Sequence, residues 1–127
     1  MSSLFISVND TFDIVVYAFM KDGDLNATTS EKDVPPDVEP ETVKIVFRKP
    51  TNKDAVTLSS ASIKTSMDGA VQVDVIKMQD YVLRNLIVSW DLKDGENAVP
   101  VNPENIDKLN PILARVISSE ALNKIKI

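Results

Sequence analysis

The chain has 127 residues, 43% of them hydrophobic and 26% charged, with a net charge of −5; this fits one domain able to bury a real core. No apolar run approaches the roughly 18 residues a membrane-spanning helix needs, and Asn9, Asp10 and Asp13 interrupt the apolar start that a secretory signal requires. There is neither cysteine nor histidine, which excludes disulfides, thiolate or imidazole metal sites, cysteine nucleophiles and Ser-His-Asp triads.

The charge is unevenly placed. Residues Lys21 to Glu41 hold seven carboxylates against two lysines and so account for the whole excess, while the other residues balance at twelve of each sign. No basic stripe of the kind that grips phosphates is present, so neither nucleic acid nor a membrane is an expected partner. Cytosolic folding is expected.

Along the chain, Leu4–Val8 and Phe12–Phe19 are rich in β-branched and aromatic residues, with Asn9-Asp10 as a turn between them. A β-hairpin over residues 1–20 is the expectation. Residues 21–41 contain Pro35, Pro36, Pro40 and a Thr-Thr-Ser run with little that is apolar, and read as an acidic proline-containing loop or linker. Val43–Lys49 resumes as a strand with Val43, Ile45 and Phe47 on one side and Lys44 and Arg48 on the other, stopped by Pro50.

Thr51–Met67 leans to a helix, with Thr51 or Asn52 as its cap and Asp54 in its first turn, although the Ser-Ser-Ala-Ser run is weak helical material. The strongest helical pattern spans Gln72 to Trp90. Val75, Ile76, Val82, Leu83, Leu86, Ile87 and Trp90 share one face, and Asp80 is spaced to pair with Arg84 across the other. Tyr81 and Val88 fall on that polar side as exposed apolar groups. Asp94-Gly95 makes a turn. Asn102-Pro103 and Asn110-Pro111 then open two helices, Pro103–Leu109 and Pro111–Lys124. The second buries Ile112, Leu113, Val116 and Ile117, and the closing Asn-Lys-Ile-Lys-Ile frays. The fold class is therefore α+β: an N-terminal hairpin (1–20), the acidic loop (21–41), and a strand plus a mainly helical part (42–127), one domain in all.

No motif carries catalysis. Asp91, Asp94 and Glu96 lack the spacing of a calcium loop, and Asp22-Gly23-Asp24 reads equally as a turn. Asn9-Asp10-Thr11 and Asn26-Ala27-Thr28 match the glycosylation triplet, which has meaning only in a secreted chain. Ser62 and Lys64 lack the spacing of serine–lysine nucleophiles. No catalytic residue, metal ligand or cofactor is assigned. Trp90, the single tryptophan, is read as a core anchor at the end of the long helix, with partner contact as the alternative.

From Glu41 onward the chain resembles a known family. Val43-Lys44-Ile45-Val46-Phe47-Arg48-Lys49-Pro50-Thr51 resembles the strand and Arg-x-Pro-Thr that open tail assembly chaperones of long-tailed bacteriophages. Leu86–Leu109 resembles their later part: an apolar helix ending in Trp90, an Asp-Gly turn, then Val-Pro-x-x-Pro-Glu-Asn-Ile. The resemblance implies a non-enzymatic protein of the host cytoplasm. It would bind the tape measure protein, keep it soluble, and recruit tail tube protein as the tube grows. Self-association into rings or spirals is implied as well. Tyr81, Arg84, Val88 and Trp90 are then the expected partner-binding residues. Two alternatives stay open: a structural tail component such as a tube, terminator or connector subunit, and a small regulatory protein whose acidic loop mimics nucleic acid. A carboxylate-held metal enzyme is a more distant third.

Overall fold

The protein is seen in a computed structural model that describes residues 4–7, 9–65 and 71–125. Four strands form its main sheet: β1 (Thr11–Lys21), β2 (Asp24–Thr28), β3 (Glu41–Arg48) and β6 (Ile87–Trp90), in the spatial order β2-β1-β3-β6 and antiparallel throughout. Between β3 and β6 lie α1 (Asn52–Ser62), the short pair β4 (Ile63–Thr65) and β5 (Val71–Val73), and α2 (Val75–Asn85). After β6 come a two-residue pair, β7 (Lys93–Asp94) with β8 (Asn97–Ala98), then α3 (Pro103–Asp107) and α4 (Pro111–Lys124). The class is α+β, as the sequence pattern implies: an antiparallel sheet with three of its four strands in the N-terminal half, and a mainly helical C-terminal part.

Alternation builds the core. Ile14 and Val16 of β1 sit opposite Ile45 and Val43 of β3, and Phe12 stacks on Phe47 with ring centroids 5.3 Å apart. Helices α2 and α4 close this face. Val82 and Leu83 from α2, and Leu86 just beyond it, join Leu113, Ile117, Ala121 and Ile125 from the α4 segment, together with Ile106 of α3. Packed side by side over one sheet face, these layers make a single core.

Several boundaries differ from the sequence reading. The hairpin partner of β1 is β2, not Leu4–Val8: residues 4–7 form no strand, and Val8 lies outside the described residues. Asp22 and Gly23 both adopt positive φ (55° and 84°), the geometry of a two-residue hairpin turn for which Asp-Gly is the favoured sequence. Segment 21–41 thus supplies a strand and a short 3-10 turn (Glu31–Asp33), although all seven of its carboxylates are exposed.

The expected helix over 72–90 is really strand, helix and strand. Asp74 caps α2 by accepting a hydrogen bond from the Lys77 amide, and the helix stops at Asn85. The α1 helix likewise ends at Ser62, where β4 begins; Met67 lies outside the described residues. The two Asn-Pro starts hold: the Asn102 and Asn110 side chains accept from the amides of Asn105 (2.8 Å) and Ile112 (2.9 Å). In α4, Leu113 and Ile117 are buried, Val116 is half-buried, and Ile112 is exposed. Asn123 and Lys124 do not fray: they complete α4, and Ile125 beyond them is buried; Lys126 and Ile127 lie outside the described residues.

Leu86, fully buried where α2 gives way to β6, touches both layers. Leu86→Ala is expected to cost about 2–5 kcal/mol of stability, read as a lowered urea midpoint with an unchanged slope.

Candidate partner-binding surface

The expected contact residues sit in quite different surroundings. Tyr81 is half-buried, and its hydroxyl donates to Asp54 Oδ1 at 2.7 Å. Asp54, only 4% exposed, also accepts two bonds from the Arg48 guanidinium (Nη1 at 2.6 Å, Nη2 at 3.0 Å) and two from Thr51, through its amide at 2.8 Å and its hydroxyl at 3.0 Å. Thr51 in turn accepts from the Asp54 amide, so the two residues cap α1 reciprocally. Arg48 also donates through Nε to the Asn85 carbonyl, and its own amide donates to the Leu86 carbonyl at 2.9 Å. Those are carbonyls left open by the end of α2.

This network sets the local titration behaviour. The Arg48 hydrogen bonds hold the Asp54 carboxyl well below the ordinary carboxylate range, and the same bonds raise Arg48. Burial, then the bond to Asp54, raises Tyr81. With five donors on two oxygens the carboxylate has no capacity left to accept a substrate proton. The cluster is a clasp that ties β3, α1 and α2 together.

Arg84 is exposed and bridges two helices: it pairs with Asp80 on α2 at 2.9 Å, as its spacing implies, and also with Asp107 on α3. Both bonds, the Asp107 one foremost, raise its pKa. Trp90 is half-buried against the core, pairs with Ile45, and donates its indole N–H to the Val99 carbonyl at 2.6 Å. Val88 is 52% exposed because it is the extra residue of a β-bulge: Ile87 faces Phe47 and Ser89 faces Val46, leaving Val88 between them without a partner in β3.

The face that does stand open was assigned to the core by the sequence pattern. Val75 and Ile76 continue the apolar stripe of α2 beyond Val82 and Leu83, yet they are 53% and 77% exposed. Beside Ile76 runs a groove of about 270 Å³ between α2 and the start of α4, floored by Leu83 and Ala114 and flanked by Asp80 and Arg115. Ile112 on α4 is 40% exposed at the same end of that helix. The stripe was legible in the sequence; its exposure was not, because that depends on where α4 lies.

Among the described residues no group of three His, Cys, Asp or Glu side chains is placed to hold a metal, and no helix is long and apolar enough to cross a membrane. No protein family model, curated protein or solved structure matches the chain.

Two variants test the clasp. Tyr81→Phe is expected to cost about 1.5–3 kcal/mol, the worth of a hydrogen bond to a charged acceptor. Asp54→Asn is expected to cost about 3 kcal/mol at neutral pH, since it leaves Arg48 partly buried without its counter-charge. Because Asp54 is depressed in the folded state, its contribution is full above the unfolded value of about 3.9 and is lost as pH falls below it. Wild type should therefore lose more stability than Asp54→Asn between about pH 5 and pH 2, measured by urea titration. Parallel losses in the two proteins would count against the clasp.

Proposed function

We propose that this chain is a non-enzymatic tail assembly chaperone of a long-tailed bacteriophage, acting in the host cytoplasm. It binds the tape measure protein, keeps it soluble and recruits tail tube subunits. The resemblance from Glu41 onward supports the family reading, and one structural observation carries the binding reading. The apolar stripe of α2 runs out of the core into an open groove, with Ile76 77% exposed beside it. An amphipathic helix is the natural occupant of such a groove, because its anchors recur at three- and four-residue spacing along one face. The flanking Asp80 and Arg115 suit a ligand with charges of both signs bordering its apolar stripe. Each large apolar side chain fully buried there contributes about 1.5–3 kcal/mol, so two or three such anchors suffice for capture. In this reading Arg84 acts beside the groove by orienting Asp80. Tyr81 and Trp90 hold the scaffold, and Val88 lies apart on the sheet edge.

A second reading, a structural subunit of the same tail, is favoured by the exposure of Leu4 and Phe5 at 95% and 83%, a segment suited to ordering on assembly. Presence of the chain in purified particles would decide for it.

Co-expression with the longest reading frame just downstream in the source genome tests the main reading. The partner is expected to become soluble and to co-elute with this chain. Ile76→Glu, on an exposed position where folding is unaffected, should weaken the complex by roughly ten- to a hundredfold. A folded wild-type chain that neither rescues nor binds the partner overturns the proposal.

A further inference from the structure

A second groove lies at the other end of α4. It has a volume of about 530 Å³, its walls include Ile6, Phe12, Pro50 and Ile125, and Lys124 borders it. Ile6 therefore touches the groove, while the two residues before it, Leu4 and Phe5, project into solvent at 95% and 83% exposure. Their direction is set by a tight turn: the Asp10 amide donates to the Ser7 carbonyl at 3.0 Å and the Ser7 amide donates to the Asp10 carboxylate at 2.7 Å. One molecule thus presents, side by side, an open apolar groove and an apolar arm that does not fill it.

We infer that a second copy of this chain covers the groove, each copy laying its Leu4-Phe5 arm into the groove of the other about a two-fold axis. Arm and groove share one edge of the fold, so groove-to-groove apposition satisfies both copies at once and closes the assembly as an isologous dimer. A buried aromatic side chain removes about 150–250 Å² from water. Two arms and the walls they cover amount to on the order of 1,000 Å², the lower edge of specific interfaces. An interface at that lower edge belongs with reversible association, not with obligate dimers. The exchange is independent of the chaperone reading, since it uses neither Ile76 nor the groove beside it.

The full chain is tested by sedimentation velocity up to roughly 200 µM. Wild type should shift from monomer to dimer, and Leu4→Ser/Phe5→Ser should stay monomeric at least tenfold higher in concentration. The absence of native cysteine permits a positional test. A mixture of the Phe5→Cys and Asn123→Cys single variants, oxidised gently, should form the mixed disulfide dimer in preference to either symmetric one; Asn123 also lines the groove. Three results would each overturn the inference. One is a wild-type chain monomeric throughout, and another is a dimer indifferent to the arm substitutions. The third is a Phe5→Cys/Asn123→Cys double variant that closes only within one chain.

Discussion

A single carboxylate sits where three elements meet, and much of the fold is arranged to satisfy it. Burying a charge costs several kcal/mol unless partners replace its water. Asp54 meets that cost with five donors drawn from the end of β3, the cap of α1 and the middle of α2. Arg48 spans the junction, because the guanidinium that faces Asp54 also ties down the Asn85 carbonyl where α2 ends. The net gain from such an ion pair is modest, but its geometry is strict. It fixes how α1 leaves the sheet and where α2 returns to it. The helix that depends on it most is α1, which is short and made of weak helical material.

The same residues carry the resemblance to tail assembly chaperones. Arg48-Lys49-Pro50-Thr51 reads in three dimensions as strand end, turn and helix cap, with Arg48 and Thr51 both bonded to Asp54. Val99 receives the Trp90 indole, and Asn102-Pro103 begins α3. These motif residues make scaffold. The resemblance therefore speaks first to architecture, and the case for binding stands separately on the open stripe of α2.

Elements set by local chemistry were legible in the sequence: the alternation of β1 and β3, the Asn-Pro helix starts, and the Asp80–Arg84 pair. Elements that borrow their structure from neighbours were not. Strand β2 has the unremarkable sequence Asp-Leu-Asn-Ala-Thr, and it exists because β1 is long enough to offer an edge and Asp22-Gly23 turns the chain onto it. The failure at Ile87–Trp90 has a sharper cause. In a regular strand, residues 87 and 90 point to opposite faces. The bulge at Val88 shifts the phase by one, so Ile87 lies opposite Phe47 and Trp90 opposite Ile45, both on the core face. A bulged strand thus reproduces the three-residue spacing of a helix, and periodicity by itself cannot separate the two. Residues 4–7 err the other way: strand-like composition, but both edges of β1, the strand they were expected to pair with, are taken by β2 and β3. Among the contact candidates, Tyr81 reads from the sequence as an exposed group on the polar side of α2, but it is half-buried there, because the buried carboxylate facing it comes from a distant segment.

The two open grooves occupy opposite ends of α4. Pro111 and Ala114 line one, Asn123 and Ile125 the other, and a helix of that length separates its ends by about 20 Å. That distance lets both be filled together without steric conflict. It also links the two proposals functionally. A dimer closed through the arm grooves would carry two α2 grooves held in fixed relation, and a long partner with repeated amphipathic segments would engage the second after the first at high effective concentration. Weak self-association and weak segment binding would then reinforce one another only while the partner is present, which is the behaviour a transient assembly factor needs. Burying the arms and the Ile76 stripe together also removes from water the large apolar side chains Leu4, Phe5 and Ile76 that stand exposed beside these grooves.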